Sequence, residues 1–122
     1  LFAMALHVAH RTGDAELYRL IDASLVSRQA LINAEQHRLE AVKALVEAVK
    51  SGDEERIEAA REKVHAATDA LHEATKKLRD DFQAIAERIR ELRPQIEEEM
   101  QNHRRRERAR EEPADAMPPE LY

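Results

Sequence analysis

Apolar residues recur at every seventh position over most of this chain. Leu25, Ile32, Leu39 and Val46 form one series, and Ile57, Val64, Leu71, Leu78, Ile85 and Leu92 form a second. A seven-residue apolar repeat marks α-helices that wind around one another. Punctuation is sparse: the stretch from Asp14 to Arg93 holds one glycine, Gly52, and no proline. The pattern predicts an all-α protein centred on a long antiparallel helical hairpin that turns at Ser51-Gly52-Asp53. Folding there places Val46 on Ile57, Leu39 on Val64, Ile32 on Leu71 and Leu25 on Leu78. Further out, Tyr18 meets Ile85 and Ile21 meets Phe82. All these pairs keep one register, as an unslipped antiparallel pair must.

The remaining segments follow from the stop signals. Residues 1–12 read as a short N-terminal helix ending at Thr12-Gly13-Asp14, where glycine takes the left-handed turn and Asp14 caps the next helix. Residues 14–93 form the hairpin. Pro94 lacks an N–H and disfavours helix in the residue before it, so a kink or end is expected there. Residues 94–112 read as a polar, charged helical extension. Pro113, Pro118 and Pro119 mark 113–122 as a disordered tail. The two turns share the pattern Ala-Leu-x-x-Ala-x-(Arg/Lys)-(Thr/Ser)-Gly-Asp-x-Glu, at Ala5–Glu16 and Ala44–Glu55. Tight helix–turn–helix chemistry explains this better than a repeat architecture, which needs about three units.

A second apolar stripe accompanies the heptad series. In the first long helix it comprises Ala34, Ala41, Leu45 and Ala48, and in the second Ala60, Ala67, Ala74, Phe82, Ile89 and Ile96. A two-helix hairpin buries one stripe, and the N-terminal helix is too short to cover the other. The expectation is therefore an interaction stripe made of these residues, closed by a second copy in a homodimeric four-helix bundle or by another helical protein.

Composition sharpens this picture. Charged residues make up 37% of the 122 residues and aromatics 3%, which fits long helices better than a conventional globular core. The net charge of −5 disfavours nucleic acid as a partner. Cysteine is absent, so disulfides and thiolate chemistry are excluded. Leu1-Phe2-Ala3-Met4-Ala5-Leu6 is too short to span a membrane. It reads as the end of a packed helix, with a membrane-proximal or signal-segment remnant as the alternative. The sequence assigns no compartment.

Candidate chemistry is thin. Glu62, His65, Asp69 and His72 follow at three- and four-residue steps along one helix face, and Glu35 lies opposite Thr68 in the folded hairpin. Glu62-x-x-His65 has the spacing used by carboxylate-bridged di-metal bundles, so a metal-binding four-helix bundle for sensing or storage is the alternative reading. Those bundles draw ligands from four helices and point them inward. His65 and His72 sit one residue past core positions, so boundary histidines are the simpler reading. His7 and His10 form an i, i+3 pair with nothing converging on them. His103–Arg110 is basic, but Glu97–Glu99 and Glu111-Glu112 flank it and no aromatic interleaves it, so a solvated helix end fits it best. No glycine-rich loop, nucleophile elbow or His-Glu-x-x-His is present, and the sequence points to no enzyme and no cofactor.

One segment resembles a known family. Ala44-Leu45-Val46-Glu47-Ala48-Val49-Lys50-Ser51-Gly52-Asp53-Glu54-Glu55-Arg56-Ile57-Glu58-Ala59-Ala60 is similar to the C-terminal helical lid of Hsp70-type chaperones, where a helix, a Gly-Asp turn and a second helix follow in this order. The resemblance covers about a fifth of the chain and implies a lid-like helical fragment. It implies no site residues. The expected function is a structural or protein–protein interaction module acting through coiled-coil or helical-bundle packing.

Overall fold

The computed structural model describes residues 1–115. Four helices follow one another: α1 (Phe2–Thr12), α2 (Ala15–Ser51), α3 (Glu54–Glu91) and α4 (Arg93–Asp115). Among the described residues there is no strand. The chain is an all-α protein in which α2 and α3 pack as a long antiparallel hairpin.

Both turns are built from the same parts. Gly13 and Gly52 take φ of 66° and 72°, the left-handed region that a Cβ disfavours. The hydroxyl before each glycine bonds back into its helix: Thr12 Oγ1 donates to the Val8 carbonyl at 2.8 Å, and Ser51 Oγ to that of Ala48 at 2.6 Å. The aspartate after each glycine caps the next helix. Asp14 accepts from Leu17 N–H at 2.9 Å, and Asp53 from Glu55 N–H at 3.1 Å. The shared (Thr/Ser)-Gly-Asp pattern is thus one turn chemistry used twice. Between α3 and α4 the chain breaks at Leu92. Pro94 is the second residue of α4, where a missing N–H costs nothing because no intrahelical acceptor exists for it. The boundary expected at Glu112 falls inside the last turn of α4, a shift of the size usual at helix ends. Residues 116–122 of the expected tail lie outside the described residues.

The hairpin turns where the heptads place it, but α2 presents a different face to α3. The seam contains Leu17, Ser24, Ser27, Leu31, Ala34, Ala41, Leu45 and Ala48 from α2, all buried or half-buried. On α3 it contains Ile57, Ala60, Val64, Ala67, Leu71 and Ala74. The layers expected from Leu25, Ile32, Leu39 and Val46 do not form, because these residues are exposed. They stand one residue on from Ser24, Leu31, Arg38 and Leu45, about 100° round the helix. Volume explains the choice. Each side of the seam alternates large and small residues, Leu31 and Leu45 with Ala34, Ala41 and Ala48 on α2, and Ile57, Val64 and Leu71 with Ala60, Ala67 and Ala74 on α3. Two large series facing each other would hold the axes apart.

This also corrects the expected interaction stripe. Ala41, Ala48, Ala60 and Ala67 are buried inside the hairpin, and Ala34, Leu45 and Ala74 are half-buried with them. Phe82, Ile89 and Ile96 pack on a compact core of buried residues. That core is the head, where α1 lies on the open end of the hairpin. Ala5, Val8 and Ala9 of α1 meet Leu17, Ile21, Ile85 and Leu92 there. The short N-terminal apolar segment is therefore part of a packed helix, and no helix among the described residues is long and apolar enough to cross a membrane.

Candidate interaction surface

Placing α2 with its small face on α3 leaves its large face free. Tyr18, Leu25, Ile32, Leu39, Val46 and Val49 are between 38% and 55% exposed. Leu25, Ile32, Leu39 and Val46 keep the seven-residue spacing, and Arg28, Glu35, Val42 and Val49 fill the positions three further on. The result is a second coiled-coil seam with apolar residues at alternating three- and four-residue steps and two charges set into it. Exposed large aliphatics in a row, rather than scattered, mark an interaction surface.

The stripe borders a groove beside the first turn of α1. Phe2 of α1, Ser24, Leu25, Arg28, Leu31 and Ile32 of α2, and Leu78 and Phe82 of α3 line it. Leu25 and Leu78 thus do approach each other, across an open groove rather than in a sealed layer. Arg38 flanks the stripe on the α3 side, where its Nε donates to Thr68 Oγ1 at 3.0 Å. Thr68 Oγ1 in turn donates to the Val64 carbonyl at 2.8 Å. Thr68 is therefore engaged by Arg38, and Glu35 remains exposed.

The head is fastened by an ion pair that pattern reading did not find. Asp14 caps α2 and also accepts two bonds from Arg88, Nε at 2.9 Å and Nη2 at 2.7 Å. Arg88 Nη1 donates to Glu91 at 2.7 Å. The Arg88 guanidinium holds the Asp14 carboxyl below the usual aspartate range, against the opposing effect of desolvation. Its two carboxylates in turn push the Arg88 pKa up. Deeper in the hairpin, Ser27 Oγ donates to Asp81 and Ser24 Oγ to the Ile21 carbonyl, so both buried hydroxyls are satisfied.

The metal candidates do not assemble. His65 Nε2 lies 3.7 Å from Asp69 Oδ2, with the His65 side chain 82% exposed. Glu62 shares that open surface with them. Among the described residues no group of three or more such ligands converges, so Glu62, His65, Asp69 and His72 form a polar helix face. The reason is phase: this face turns away from α2, and no other element supplies ligands to it. His7 and His10 are exposed on α1. Arg104, Arg105, Arg106 and Arg108 stand in solvent on α4, and His103 pairs with Glu107 at 3.1 Å.

No family model, curated protein or solved structure matches this chain. The likeness to a chaperone lid rests on the turn segment alone.

Proposed function

We propose that this chain is a structural or protein–protein interaction module whose working part is the exposed apolar stripe of α2. The observation that supports this reading is the face choice of the hairpin. The small residues of α2 are spent on α3, and a regular large-residue seam from Leu25 to Val49 faces outward. A helix in water gains nothing from such a stripe unless another helix covers it. The reading predicts association through this face. Light scattering over a concentration series should show particles larger than 14.0 kDa for the native chain. The variant Leu25→Glu/Leu39→Glu should run as a monomer with unchanged helicity, because both side chains are exposed in the single chain. A native chain that stays monomeric throughout the series would overturn the reading.

A further inference from the structure

We draw no further inference here: the strongest candidate, the exposed apolar stripe of α2 with the groove it borders between α1 and α3, carries nothing beyond the reading above, because nothing in the structure shows what covers it.

Discussion

Ile21 and Val49 stand in the same phase of α2, four heptads apart, yet Ile21 is 2% exposed and Val49 55%. The helix, the phase and the side-chain type are nearly the same. What differs is α1, which among the described residues lies against α2 in the head and not along the arm. The head is a small three-sided core, with Ala5, Leu17 and Ile85 fully buried. The arm beyond it is two helices joined by an alanine-rich seam. One hairpin therefore carries a satisfied and an unsatisfied version of the same surface, and the satisfied version shows what the other lacks.

The sharpest way to break this contrast is to truncate one large side chain in each region. Ile85→Ala opens a cavity where nothing can collapse to fill it, and should cost about 3 kcal/mol of unfolding free energy. Leu39→Ala, measured on dilute chain, should stay within about 0.5 kcal/mol, because its side chain is already in water. Denaturant titration checks both, and equal losses would abolish the distinction between head and arm. The next change adds volume instead of removing it. Ala48 is 1% exposed, inside the seam between α2 and α3. Ala48→Leu should cost roughly 2 kcal/mol by overpacking. A neutral or stabilising result would show that small residues are not what sets the α2 face.

That face choice is where sequence reading reached its limit. The turns were fully legible, since hydroxyl, glycine and aspartate each have one role at a helix–turn–helix. Helix lengths and the fold point followed from the same signals. The heptad of α3 was read in the correct phase, because only one of its faces is strongly apolar. On α2 two apolar series run side by side, two residues apart, and either satisfies a period of seven. Hydrophobicity favours Leu25, Ile32, Leu39 and Val46, while packing against the large residues of α3 favours Ala34, Ala41 and Ala48. Periodicity does not weigh volume across an interface, so it chose the larger side chains. The expected interaction stripe and the expected core were consequently exchanged on this helix. The Glu62–His72 stripe has a related limit: spacing along one helix places ligands on a face, but does not supply the helices that must oppose it.

The smallest effect separates the two turns, which share their chemistry and differ in tertiary setting. Asp53 only caps α3, whereas Asp14 caps α2 and also holds Arg88 across the head. Losing a cap costs about 1 kcal/mol at either site, so Asp14→Ala should exceed Asp53→Ala by whatever the Arg88 pairing adds. Asp14→Asn isolates that addition, since asparagine caps as well as aspartate but carries no charge. Its sign with pH follows from the lowered carboxyl pKa. The folded chain holds the ionised form more strongly than the unfolded chain does, so the pairing stabilises at every pH above the ordinary aspartate value near 4. The contribution fades as pH falls and is gone below the depressed value. The stability gap between native chain and Asp14→Asn should therefore be constant above about pH 5 and close as the solution is acidified below the ordinary aspartate value. Thermal melts across that range would show it. A gap that ignores pH would mean that Asp14 serves the head as it does its own helix, by capping alone.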